Sequence, residues 1–249
     1  NRTTRRMSLT EAGTRYYEQV ARILDDLQEA EQSLGPMQRE PAGLLRVSAP
    51  MSLSLLRICP AVPAFLERYP QVSLDLNLED RRVDIVKEGF DLAIRGTDRL
   101  EDSSLVARKL MTLDHVLCGA PSYFRRVGMP ASPEAVRGME RVQFTLSGHA
   151  DEWVFTRAGQ TQRVPVQGRY KVSSSLAVRD ALRAGFGVSL VPRVYVQDDL
   201  DQGALQAVLA DWLPVETYVY AVYPSRRHMV AKVRAFVDFL VEELGARQP

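Results

Sequence analysis

The sequence predicts an α/β protein in which a long amphipathic helix precedes two units of alternating strands and helices. Three observations carry this. Tyr16, Val20, Ile23, Leu27, Ala30 and Leu34 recur at alternating intervals of four and three, a helical stripe. From residue 44 to 118, short apolar runs alternate with helix-period segments, the order of a mostly parallel, doubly wound sheet. A second such series runs from 132 to 244. With 249 residues, 45% of them apolar and 25% charged, the chain is an ordinary globular sequence large enough for two domains.

The first helix has a start signal. Ser8-Leu9-Thr10-Glu11 fits a capping box with Ser8 as the cap, and Thr10 is a competing cap. Asp25, Asp26, Glu29 and Glu31 lie off the apolar stripe, so the stripe is narrow and reads as a coiled-coil seam. Packing against its own domain is the alternative. Roughly 25 residues span about 37 Å. Gly35-Pro36 stops the helix, and residues 37–43 form a short linker broken by Pro41 and Gly43.

In the first unit, Leu44 to Ala49 is an apolar strand. A helix from Leu53 to Tyr69 follows, with Ser52 as its cap and Pro60 and Pro63 disturbing its first turns. Val72, Leu74, Leu76 and Leu78 alternate with polar residues in a strand of period two. Asp80 caps a short helix that Gly89 ends. Strands follow at Asp91 to Arg95, Leu105 to Met111 and His115 to Cys118.

In the second unit, Ser132-Pro133 opens a short helix and Arg141 to Leu146 is a strand. Trp153 to Thr156 and Thr161 to Val166 form a hairpin about Ala158-Gly159. Arg169 to Val172 is a strand, and Ser173-Ser174-Ser175 caps a helix from Leu176 to Ala184. Val188 to Val191 is a buried strand, and Pro192 opens another short helix. Tyr218 to Val222 is a strand, and Met229 to Leu244 is a closing amphipathic helix.

The net charge of +1 argues against a surface that is basic everywhere, so any nucleic-acid contact is local. Arg2, Thr3, Thr4, Arg5 and Arg6 are the best local candidate. Such residues hold phosphates or enter a narrow minor groove; a solvated basic tail is the alternative. No apolar run approaches the ~18 residues of a membrane span. Cys59 and Cys118 lack ligand-spaced neighbours and read as buried thiols in a reducing cytoplasm. His115, His149 and His228 are isolated in sequence and form neither a metal motif nor a catalytic pair. No nucleophile, base and orienter assemble, so an enzyme, a metal and a cofactor are not expected. Gly185-Phe186-Gly187 ends a helix and precedes a strand, which makes it a helix stop rather than a nucleotide fingerprint.

Two hydroxyl clusters leave strands and enter helices, at Ser48 to Ser54 and at Ser173 to Ser175. Ligands of open α/β sheets bind beyond the carboxyl ends of strands, where helix amides face the crevice. Plain capping is the alternative, and both roles are compatible. Arg95 ends a strand, where it pairs either with an organic anion or with Asp80 or Glu79. Those two acids beside the same cleft weaken any requirement for an anionic ligand.

Together these residues resemble a LysR-type transcriptional regulator. Asn1-Arg2-Thr3-Thr4-Arg5-Arg6-Met7-Ser8-Leu9-Thr10-Glu11-Ala12-Gly13 is similar to the end of that family's winged helix-turn-helix, running from wing to linker helix. Leu45-Arg46-Val47-Ser48-Ala49-Pro50, Phe65-Leu66-Glu67-Arg68-Tyr69-Pro70, Glu88-Gly89-Phe90-Asp91-Leu92-Ala93-Ile94-Arg95 and Ala184-Gly185-Phe186-Gly187-Val188-Ser189-Leu190-Val191-Pro192 follow in the family's order and spacing. The resemblance covers essentially the whole chain, but the helices that would precede Asn1, including the recognition helix, are missing.

The resemblance implies a long linker helix followed by two doubly wound α/β subdomains of the periplasmic binding protein type 2 kind. Residues 1–7 would be the wing remnant, 8–43 the linker and dimerisation helix with its hinge, 44–120 plus 224–249 the first subdomain, and 121–223 the second. It implies a cytoplasmic homodimer or tetramer whose Tyr16, Val20, Ile23, Leu27, Ala30 and Leu34 form the dimer seam. Double-stranded DNA would be the partner of the intact protein, through Arg2, Thr3, Thr4, Arg5 and Arg6 among others. A small-molecule effector would lie between the subdomains, contacting Pro50, Met51, Ser52, Glu79, Asp80 and Arg95 on one side. Phe144, Thr145, Ser173, Ser174 and Ser175 would contact it from the other. Met51 and Phe144 would add apolar surface suited to a small aromatic metabolite. A periplasmic-type solute-binding protein shares the bilobal fold and is the alternative.

Overall fold

The computed structural model describes residues 2–3, 6–7, 10, 13, 16–17, 19–20, 40–81, 83–97, 105–214, 216–224 and 229–245. Strands β1 (Arg2–Thr3) and β2 (Arg6–Met7) pair antiparallel, Arg2 opposite Met7 and Thr3 opposite Arg6. Thr4 and Arg5 lie outside the described residues. Gly13, Tyr16, Tyr17, Gln19 and Val20 are helical. Thr10 caps this helix, its Oγ1 accepting from the Gly13 N–H at 3.1 Å. Ser8 and Glu11 of the expected capping box lie outside the described residues. Of the expected seam, Tyr16 is exposed and Val20 half-buried; Ile23, Leu27, Ala30 and Leu34 are not among the described residues.

Strand β3 (Gly43–Ala49) leads into α1 (Met51–Leu53), which widens into a π-helix at Ser54–Ile58 before α2 (Val62–Arg68). The single helix expected from Leu53 to Tyr69 is therefore divided. Its prolines explain why: Pro60 can donate no N–H to an α ladder, while Pro63 fits the first turn of a new helix. The Cys59 N–H reaches back to the Ser54 carbonyl at 2.8 Å and closes the wide turn.

Strand β4 (Val72–Leu78) follows the predicted alternation, and α3 (Ile85–Glu88) follows it. The cap of α3 is Asp84, not Asp80: its Oδ1 accepts from the Lys87 N–H at 3.1 Å. Gly89 ends the helix at φ 71, where a side chain would be strained. Then come β5 (Leu92–Thr97) and β6 (Leu105–Leu113).

The second half contains β7 (His115–Gly119), α4 (Pro121–Val127), a 3₁₀ turn at Pro133–Gly138 and β8 (Val142–Phe144). Ser132 precedes the 3₁₀ turn but makes no side-chain cap bond. β9 (Glu152–Arg157) and β10 (Gln160–Pro165) form the predicted hairpin. Ala158 at φ 48 and Gly159 at φ 81 supply the two positive φ values that a tight two-residue turn requires. β11 (Tyr170–Val172), α5 (Ser175–Arg183), β12 (Val188–Pro192), a 3₁₀ turn at Arg193–Tyr195, α6 (Gln197–Asp201), β13 (Gln206–Ala207) and β14 (Leu213–Pro214) complete it. β15 (Thr217–Pro224) and α7 (Ala231–Gly245) close the chain.

The first sheet has the order β4-β3-β5-β15-β6. β3 is parallel to β4 and β5, as the alternating pattern predicts. β15 runs antiparallel to both β5 and β6, so the sheet is mixed. β7 does not continue it but pairs with β12 and β13. The chain thus leaves the first sheet at Asp114 and returns to it with β15 from Thr217. The reason is packing: Val219, Ala221 and Tyr223 of β15 join a core with Leu45, Val47, Phe65, Phe236 and Leu240. There the Phe65 ring meets Phe236 edge-on at 4.8 Å and Phe239 at 5.3 Å.

In the second half, the alternating side chains of β7 divide two further cores. Leu117 joins Phe124, Trp153 and Leu190 on one face; Val116 and Cys118 join Val178, Leu182 and Val191 on the other. Arg183 Nε lies 2.5 Å from Asp199 Oδ1 at the edge of the latter, and the Asp199 side chain is almost fully buried.

Candidate functional site

A cavity of about 130 Å³ is lined by residues of both halves. From the first half come Pro50, Ser52 and Leu53 after β3, Glu79 and Asp80 after β4, Arg95 to Thr97 at the end of β5, and Leu113 with Thr217 and Val219 on the paired crossing strands. From the second come His115, Phe144, Leu146 to His149, Ser175, Val178, Leu190 to Pro192 and Tyr195. Carboxyl ends of β3, β4, β5, β8 and β12 converge here, as open α/β sheets place their ligand sites.

Asp80 organises the first wall. Its Oδ1 accepts from the Met51 N–H at 3.0 Å, so it caps α1 from across the loop, and Ser52 sits inside the helix instead of capping it. Burial raises the Asp80 carboxyl above its ordinary value, while the Met51 N–H and the Arg95 charge pull it partly back. Arg95 donates to Ser48 Oγ and to the Ile94 carbonyl, both at 2.9 Å. Glu79 accepts from Asn77 at 2.8 Å and pairs with Arg81 at 2.5 Å. Both readings of Arg95 thus meet one geometry: it neighbours Asp80 while bonding to a serine and a carbonyl. The Ser52 side chain is buried, and its Oγ has no hydrogen-bond partner among the described residues.

The second wall holds a pair the sequence does not announce. His115 and His149 meet edge-to-face, with ring centroids 4.9 Å apart and planes at 87°. They are not isolated as their sequence positions suggest, because the loop after β8 folds back against the start of β7. Gln143 anchors that loop, its Nε2 donating to the Ala150 carbonyl at 3.1 Å and to Asp151 at 3.0 Å. His115 bonds through Nδ1 to the Leu113 carbonyl at 3.0 Å. Burial, and then the neighbouring His149, lower its pKa to about 3, so the ring is neutral. Tyr195 is buried, and its phenol is pushed up by burial and by the Asp80 carboxylate.

Of the sequence-predicted ligand residues, Pro50, Ser52, Glu79, Asp80, Arg95, Phe144 and Ser175 line this cavity. Met51, Thr145, Ser173 and Ser174 do not. Met51 points outward and contributes its N–H to Asp80. Thr145 is tied to the Val172 carbonyl through its N–H at 3.0 Å. Ser174 caps α5 by accepting from the Ala177 N–H at 3.5 Å, and this places Ser175 at the cavity. Sequence reading missed His115, the Leu146 to His149 loop and Tyr195. A local signal existed only for the loop, which follows a strand end.

Residues 38–245 match the family described as the LysR substrate binding domain. An HTH-type transcriptional regulator of Xanthomonas campestris is 35% identical over 249 residues, covering 98% of this chain and 72% of the relative. The solved structure of CrgA, a LysR-type transcriptional regulator from Neisseria meningitidis, aligns at a TM-score of 0.74 with 32% identity, covering 98% of this chain and 83% of CrgA. Full-length AphB, a virulence activator of Vibrio cholerae, aligns at 0.72 with 30% identity, covering 97% of this chain and 82% of AphB. These relatives are regulators, not enzymes, and no described helix is long and apolar enough to cross a membrane. A cavity at converging strand ends of two α/β halves, the matched segment and these likenesses agree: the chain belongs to the LysR family and has the periplasmic binding protein type 2 fold of its regulatory domains.

Proposed function

We propose that this chain is the effector-sensing and oligomerisation part of a LysR-type DNA-binding transcriptional regulator, working in the cytoplasm as a homodimer or tetramer. A small metabolite binds between the two halves. The observation that carries this is the cavity itself, walled by strand ends of both halves and by the buried, unpartnered hydroxyl of Ser52. Pro50, Ser52, Glu79, Asp80 and Arg95 receive the effector from one side, Phe144 and Ser175 from the other, and His115 and His149 join them.

The mechanism follows from the crossing strands. β6 and β15 pass between the halves side by side, Leu113 opposite Thr217, and both residues line the cavity. A ligand held by both walls favours one angle between the halves. Copies that share interfaces through them pass the change to the linker helices. In the intact protein, the paired strands β1 and β2 belong to the end of the wing, and Arg2, Thr3, Thr4, Arg5 and Arg6 hold DNA phosphates. The chain carries no catalysis in this reading. The Cys118 thiol is pushed up to about 12, first by burial and then by Asp199, and is no nucleophile. The solute-binding alternative is disfavoured by the match to regulators.

A thermal-shift screen of small metabolites tests the cleft. A stabiliser should appear, and Leu146→Trp, on the exposed loop that lines the cavity, should weaken it. A stabiliser indifferent to that substitution, or none at all, would refute the site.

A further inference from the structure

Three of the groups that line this cavity are an acceptor oxygen, an acceptor nitrogen and a hydroxyl. Asp80 Oδ1 is committed to the Met51 N–H, and no donor among the described residues reaches Oδ2. His115 faces a carbonyl with Nδ1, so Nδ1 carries the proton and the neutral ring keeps Nε2 as an acceptor. Ser52 Oγ is buried without a partner. Arg95 already donates to Ser48 and Ile94. Of the two lining carboxylates, Glu79 is paired with Arg81 at 2.5 Å, which leaves Asp80 and Arg95 as one acid and one base of opposite charge at the opening.

An incoming carboxylate has only acceptors to offer. It would add negative charge beside a partly desolvated Asp80, where solvent screens the repulsion less than it does in bulk water. An incoming ammonium would meet Arg95. A hydroxyl suits the wall better, because it donates to a carboxylate or an imidazole and accepts from a serine in the same place. Size narrows the choice further: the cavity measures about 130 Å³, and an apolar cavity of roughly 150 Å³ holds one benzene ring. Leu53, Phe144, Val178 and Leu190 provide apolar wall for such a ring.

We propose that the cavity selects an uncharged, hydroxyl-bearing molecule about the size of a single six-membered ring, and that Asp80 excludes carboxylates from it. This rests on the cleft being the effector site.

Calorimetric titration of the whole chain with benzyl alcohol, benzoate and benzylammonium at neutral pH tests the selection. Benzyl alcohol should bind about tenfold more tightly than either ion. Asp80→Asn keeps an oxygen for the Met51 N–H and should leave the melting curve cooperative. It should raise benzoate affinity about tenfold, which closes the gap to benzyl alcohol. Tighter binding of either ion to the native chain, benzoate indifferent to Asp80→Asn, or no binding by any probe would overturn the selection. Amide shift mapping separates this from failure of the cleft reading. Probes bound in the wrong order that still shift amides of 50–53, 144–149 and 175–178 overturn the selection alone. Shifts confined elsewhere overturn both.

Discussion

Replacing His115 with Asn should uncouple the protein's stability from part of its pH dependence. In the folded chain the ring is buried and its pKa is lowered from 6.5 to about 3. The unfolded chain takes up a proton near 6.5 that the folded chain refuses until far lower pH. A depressed histidine therefore contributes stability that is full above 6.5 and lost progressively as pH falls toward 3. One pKa unit is about 1.4 kcal/mol, so the loss between pH 7 and pH 5 is about 2 kcal/mol. Asn can offer its side-chain amide to the Leu113 carbonyl that His115 Nδ1 now contacts at 3.0 Å, but it cannot titrate. At pH 7 the variant should be the weaker protein, having lost the ring contact with His149. On acidification to pH 5 the native chain should lose about 2 kcal/mol relative to the variant. Urea unfolding of both proteins at pH 7, 6 and 5 reads the difference, and groups common to both cancel. Parallel stability curves would show that His115 is not buried in its neutral form and would refute the reasoning.

Three further outcomes can be checked. Phe65→Ala, at 0% exposure in the aromatic core, should cost about 3–5 kcal/mol, whereas Leu213→Ala, at 69% exposure, should stay within about 0.5 kcal/mol. Equal effects in urea unfolding would mean that Phe65 is not core. Arg183→Met strips Asp199, 3% exposed, of its ion-pair partner; because Arg183 is itself 44% exposed, the loss should be about 1–3 kcal/mol. The double variant with Asp199→Leu should recover much of that loss, and no recovery would deny the pair its role. Replacing Val20 and Ile23 by Asp should lower the mass seen by light scattering, and an unchanged oligomer would remove these residues from the seam.

Much of the fold was legible because its signals are local. The alternation of Val72 to Leu78, the turn at Ala158-Gly159 and the stop at Gly89 each depend on a few neighbouring residues. The strand-end rule is similarly local, and it brought Pro50, Ser52, Glu79, Asp80, Arg95 and Ser175 to one cavity. What was not legible depends on distant partners. Asp80 caps α1, not the helix next to it, because Met51 lies closer in space than in sequence. His115 and His149 meet only after a loop folds back. β13 and β14, two residues each, exist only through the ladders of β7 and β9. The pattern of β15 reads equally well in either half, and only its partners β5 and β6 assign it. For α4 there was a signal, Pro121 at the first helical position, that sequence reading passed over.

The place of β15 has a consequence for biosynthesis. It lies between β5 and β6, yet it is made after the whole second half. A ribosome that has released residues 40–214 has produced a second half able to pair all its strands. The first sheet at that moment has a gap, with the facing ladders of β5 and β6 open to any passing strand. Folding of the first half is thus postponed by the length of the inserted second half, and its sheet closes through contacts of large sequence separation. A chain that terminates before Thr217 is not a smaller regulator but one with an interior strand missing and two open edges in its place.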